Sequence, residues 1–83
     1  MAPIAKEIIE GVRFDWAVMQ WRGLTVEYLM WLEQSFPDIN VKTVLDGLTE
    51  WLHNNRNQKR AHKSDWHKFL TKNMRKKQIE AVL

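Results

Sequence analysis

Eighty-three residues without a cysteine leave room for one domain and exclude both a disulfide framework and a zinc ribbon. The composition, 45% apolar and 28% charged, is that of a globular chain. The net charge of +3 conceals a split: residues 1–52 carry four basic groups against eight acidic ones, whereas residues 53–83 carry nine against two.

No run of about 18 apolar residues exists, so no membrane span is expected. The opening Met-Ala-Pro-Ile-Ala-Lys-Glu lacks the basic-then-apolar order of a secretory signal. Both readings, with the lack of cysteine, fit a cytoplasmic chain. A domain this small is stable with little to spare, so a homodimer or a larger partner is expected.

Helical spacing dominates, and no stretch shows sustained alternation of apolar and polar residues. The expected fold is all-α: one domain over 1–83, a compact bundle of four to five short helices with one long basic loop before the last. The first helix runs from about Pro3 to Glu10, with Pro3 in its first turn and Ile4, Ile8 and Ile9 on one side. A second, about Phe14 to Arg22, gathers Phe14, Ala17, Val18 and Trp21 and stops at Gly23.

Thr25 caps a third helix, Val26 to Ser35, with Glu27 in its first turn. Tyr28, Leu29, Met30, Trp31 and Leu32 surround most of its circumference, the pattern of a central helix. Pro37 blocks continuation, and Asp38 or Asn40 caps the fourth helix. There Val41, Val44, Leu45, Leu48, Trp51 and Leu52 form a narrow apolar stripe, and Gly47 suggests a close helix crossing.

The run from His53 to Lys63 has almost nothing to bury and reads as a long exposed loop. Ser64 then caps a last helix, with Asp65 in its first turn. Trp66, Phe69, Leu70 and Met74 share one side of it and Lys68, Lys72, Arg75 and Lys76 another. Packing is expected to loosen beyond Met74, because Lys77 interrupts the apolar side.

Catalysis finds little support. His53, His62 and His67 lack a partner ligand at metal-binding spacing, no carboxylate pair stands out as acid and base, and the three glycines are isolated. Neither an enzyme, a metal site nor a cofactor is expected. The basic segment is the stronger signal. Arg56, Lys59, Arg60 and Lys63 in the loop and Lys68, Lys72, Arg75 and Lys76 on the helix suit phosphate recognition with counterion release, and Asn54, Asn55, Asn57 and Gln58 add donors and acceptors for backbone or base contacts.

The tryptophans divide. Trp21, Trp51 and Trp66 lie on apolar stripes and suit the core, whereas Trp16 and Trp31, with Met19, fit an exposed patch for a partner or second copy.

A Trp-Leu pair (Trp31, Leu32) precedes Pro37-Asp38-Ile39. An amphipathic helix then ends in Trp51-Leu52-x-Asn54, and a Lys/Arg/Asn-rich loop leads to Asp65-Trp66-x-x-Phe69 and a basic tail. In this order the stretch Tyr28 to Lys77 resembles the C-terminal module of phage replisome organisers and primosomal helicase-loading proteins. The family's tail commonly reads Phe-x-x-x-Trp-Leu-Arg, whereas here Asn73 and Met74 stand at those places. The resemblance implies binding of single- or double-stranded DNA near an origin, alongside a helicase or its loader. Arg60, Lys63, Trp66 and Arg75 match its basic and aromatic positions best; the first thirty residues have no counterpart.

The leading expectation is therefore a non-catalytic nucleic-acid-binding module whose partner is DNA and, by resemblance, a replication protein. The alternative is a protein-interaction adaptor using the Trp16/Met19/Trp31 surface. A helix-turn-helix fragment fits less well, because the long loop separates the last two helices and the earlier ones lack a basic face.

Overall fold

The computed structural model describes residues 4–83, so the placement of Pro3 in a first turn lies outside the described residues. The elements run α1 (Lys6–Gly11), β1 (Arg13–Asp15), β2 (Gln20–Arg22), α2 (Val26–Ser35), α3 (Val41–Asn54), a single 3-10 turn (Lys59–Ala61) and α4 (Trp66–Val82). Helix dominates, but the fold is not all-α.

The correction falls on the second expected helix. In place of a helix over Phe14 to Arg22 there is an antiparallel hairpin, pairing Arg13 with Arg22, Phe14 with Trp21 and Asp15 with Gln20. Its cause is local. Val12-Arg13-Phe14-Asp15-Trp16 alternates apolar and polar, and Val12 and Phe14 are both buried. Asp15 then closes the turn: one carboxylate oxygen accepts from the Ala17 amide at 3.0 Å, the other from Arg22 Nε at 3.2 Å. The Arg22 hydrogen bond holds the Asp15 carboxyl below its ordinary value, against the opposing effect of burial. Met19 completes the turn at φ 55, and across the strands the Phe14 and Trp21 rings meet edge to face at 5.2 Å.

The remaining helices start where side chains satisfy free amides. Thr25 accepts from the Tyr28 amide, Asn40 from Thr43 and Asp65 from Lys68. Asn40 rather than Asp38 caps α3, and Asp65 rather than Ser64 caps α4. Of α2, Tyr28 and Leu32 are fully buried, while Val26 and Met30 are exposed, so this helix is peripheral on one side rather than central. A chain this short has too few elements to cover both faces.

The core joins Val12 and Phe14 of the hairpin segment, Tyr28, Leu32 and Phe36, then Val41, Leu45 and Leu52 of α3, and Trp66, Leu70 and Met74 of α4. Trp66 packs against Trp21 at 5.5 Å and Phe14 at 6.0 Å, so the tryptophan docks α4 on the hairpin, and Phe69 is the ring that meets α3, 6.2 Å from Trp51. Trp21 Nε1 donates to Thr49 Oγ1 at 2.8 Å and thereby ties the hairpin to α3. Beyond Met74 the helix is exposed except for half-buried Gln78, which exchanges hydrogen bonds with Asp38.

Candidate nucleic-acid interface

Nothing in the segment after α3 predicted a folded loop, yet it is one. Asn55 Nδ2 donates to the Trp51 carbonyl at 2.8 Å and Arg60 Nη2 donates to Asn55 Oδ1 at 3.2 Å. Arg56 Nη1 reaches the His53 carbonyl at 2.9 Å, and His62 Nε2 lies 2.8 Å from the Arg56 carbonyl. Ala61 is fully buried at the centre, and the His62 ring stacks on Trp16 at 4.1 Å. The expected long exposed loop is present between α3 and α4, with Arg56, Lys59 and Arg60 exposed, and what the structure adds is that one buried methyl group and one stacked imidazole pin it.

On α4, Lys68, Lys72, Arg75 and Lys76 are all exposed. Lys68, Lys72 and Lys76 recur every fourth residue, about 6 Å apart along the axis. Among the described residues the ion pairs are Lys6–Glu10, Arg22–Asp15, Lys42–Asp46 and Lys77–Glu80. None engages any of the eight cations singled out in the sequence, and none links residues 4–52 to residues 53–83.

Between α3 and α4 lies an open groove of about 1100 Å³. Val44, Leu48, Trp51 and Phe69 give it an apolar floor, and Lys63, Lys68, Lys72, Lys76 and Lys77, with the carboxylate of Asp65 among them, line its α4 side. The α3 side presents Thr43 and Gly47, without charge. Lys63 Nζ lies 5.7 Å from the Trp51 ring centroid and 5.3 Å from that of Phe69, with the Arg60 guanidinium 5.8 Å from Trp51. Four of the eight cations thus gather on one groove, with Arg60 beside them; Arg56, Lys59 and Arg75 are exposed but do not line it.

Gly47 does not serve a close helix crossing: a Cβ built there meets nothing within 4 Å. The aromatic floor is not legible in the sequence, where Trp51 on its apolar stripe reads as core and Gly47 as a crossing point.

The other candidate surface draws on the hairpin turn and α2. Trp16 and Met19 are half-buried at the hairpin turn, Trp16 on His62 and the Met19 carbonyl 3.3 Å from His53 Nε2. Trp31 is half-buried on α2 against Tyr28 and His67. Both tryptophan rings thus have intramolecular partners, and all three residues keep part of their surface exposed.

The histidines bridge elements in the same way. The Tyr28 hydroxyl and His67 Nδ1 are 2.8 Å apart. Burial lowers the His67 pKa and raises that of Tyr28, which favours the neutral form of both groups in this hydrogen bond. Among the described residues no group of three His, Asp or Glu could hold a metal ion, and no helix is long and apolar enough to cross a membrane. No family model, curated protein or solved structure matches this chain.

Proposed function

We propose that this chain is a non-catalytic, cytoplasmic nucleic-acid-binding module that holds phosphates, those of DNA first, through the folded basic loop and α4. The observation that carries the reading is the freedom of the charges: eight exposed or half-exposed cations on adjoining elements, none of them in an ion pair among the described residues. Lys77, which would have joined them, is engaged by Glu80 at 3.6 Å. Free cations facing a polyanion release its condensed counterions, which is the main source of sequence-independent affinity. The loop supports this physically, because its hydrogen bonds and the buried Ala61 hold Arg56 and Arg60 against the C-terminal end of α3 and reduce the ordering cost of binding.

The order of motifs from Trp31 to Phe69 extends the proposal to a replication-associated role beside a helicase or its loader. Labelled DNA titrated at several salt concentrations tests the reading. With four to eight phosphate contacts, log K should fall with log salt at a slope of about −3 to −7. Negligible affinity at low salt, or affinity indifferent to salt, refutes it.

A further inference from the structure

We propose that the α3–α4 groove is the seat of a single strand, with bases on its aromatic floor and phosphates along its α4 rim; this rests on the nucleic-acid reading above. Three observations converge on it. The groove is charged along one side only, where Lys63, Lys68, Lys72 and Lys76 outnumber the single carboxylate of Asp65, with neutral Thr43 and Gly47 opposite. Its floor carries two half-buried rings, Trp51 and Phe69. Gly47 keeps the α3 wall bare in the middle of a fourteen-residue helix, where open space lies above it.

Each feature selects against a duplex. A duplex turns phosphates outward on both strands and encloses its base faces, so it leaves an apolar floor unfilled. A single strand has phosphates along one edge and free π-faces along the other, which matches a groove cationic on one side and aromatic beneath. Lys63 is the natural hinge between the two halves of this recognition. Its ammonium hangs over both rings, an exposed cation–π contact weaker than the stacking of a base on an aromatic ring. An arriving base takes the ring face, and the flexible lysine swings its charge to the adjacent phosphate.

Gly47 also supplies a variant that closes the groove without touching the core. Gly47→Met places a side chain in space that is empty, and Met is a better helix former than Gly. Fluorescence anisotropy with labelled oligothymidine, with a mixed-sequence duplex of equal length, and with an acidic amphipathic peptide separates the cases.

The wild type should bind oligothymidine at least about tenfold tighter than duplex. Gly47→Met and Phe69→Ala should each weaken the single strand by about tenfold, about 1.4 kcal/mol, and leave duplex binding within about twofold. Circular dichroism melts verify that both variants are folded, and Gly47→Met alone decides if Phe69→Ala is not. Equal binding of both nucleic acids, unchanged in Gly47→Met, overturns the inference and leaves the nucleic-acid reading standing. Capture of the acidic peptide alone, lost in Gly47→Met, makes the groove a protein-docking site and overturns both. No nucleic-acid binding at low salt sinks the underlying reading first.

Discussion

The same substitution at two glycines should move stability in opposite directions. Gly23 sits at φ 77, and a Cβ there would lie 2.1 Å from the Gly11 carbonyl oxygen and 2.5 Å from its carbon. Alanine at Gly23 incurs the left-handed penalty, roughly 1–2 kcal/mol. It also forces two stretches of backbone apart, a further 1–3 kcal/mol or so on the scale of overpacked sites. The expected loss is about 2–5 kcal/mol, a large part of the roughly 4–12 kcal/mol available to a domain of this length. Gly47 lies in the interior of α3, exposed, with nothing within 4 Å of an added Cβ. Alanine there restricts the unfolded chain at no steric cost and should add about 1 kcal/mol. At about 4–8 °C per kcal/mol for a domain this small, Gly47→Ala should melt about 4–8 °C higher and Gly23→Ala about 10 °C or more lower. Thermal melts by circular dichroism, checked by urea titration, measure both. A destabilised Gly47→Ala means that the helix wall is not open. An unaffected Gly23→Ala means that the approach of the Gly23 turn to α1 is wrong.

Two further perturbations probe the buried centre of the loop and the Tyr28–His67 contact. Ala61→Leu, at a position with no exposed surface, should cost about 1–3 kcal/mol by overpacking; an unchanged urea midpoint would show that Ala61 is not enclosed. For His67, burial places the folded pKa below the ordinary 6.5, so the unfolded chain binds more protons at mildly acidic pH. Stability should therefore be whole above about pH 6.5 and decline as pH falls towards the folded value. His67→Gln should make the urea midpoint less dependent on pH between about 7.5 and 5, and an identical dependence in both proteins refutes the assignment.

Much of the helical frame was legible because its signals are local. Thr25 and the run to Ser35 marked α2, Pro37 and the Val41–Leu52 stripe marked α3, and Trp66, Leu70 and Met74 gave the buried side of α4. The hairpin was hidden by a coincidence of spacing. Phe14, Ala17, Val18 and Trp21 satisfy a helical period, while Val12 to Trp16 satisfy a strand period over the same ground. The choice is made by the Asp15 carboxylate and by burial of Val12 and Phe14 against other elements, and neither is visible in a window. The loop was legible as a loop but its internal order was not, because that order depends on Ala61 and on a stack between His62 and Trp16, forty-six positions away in sequence. The groove is a relation between two helices, so the sequence held its lysines and its open glycine but not their convergence.

The charge split acquires a physical meaning from how the halves are joined. Residues 53–83 meet the rest through Trp66 on the hairpin, Phe69 on Trp51, His62 on Trp16, Tyr28 to His67 and Gln78 to Asp38. All of these contacts are apolar, aromatic or short-range hydrogen bonds. No ion pair among the described residues crosses between the halves, so folding does not use up the cations, and the few surface pairs present are worth little, about 0–1 kcal/mol each. Salt should therefore separate fold from binding. Between about 50 and 200 mM, affinity for DNA should fall by about a hundredfold or more. The melting temperature should stay nearly constant or rise slightly as repulsion within the basic half is screened. A melting temperature that falls alongside affinity would show that the charges hold the protein together. The view that folding leaves the cations unengaged would then be refuted, while the salt-dependent binding itself would stand.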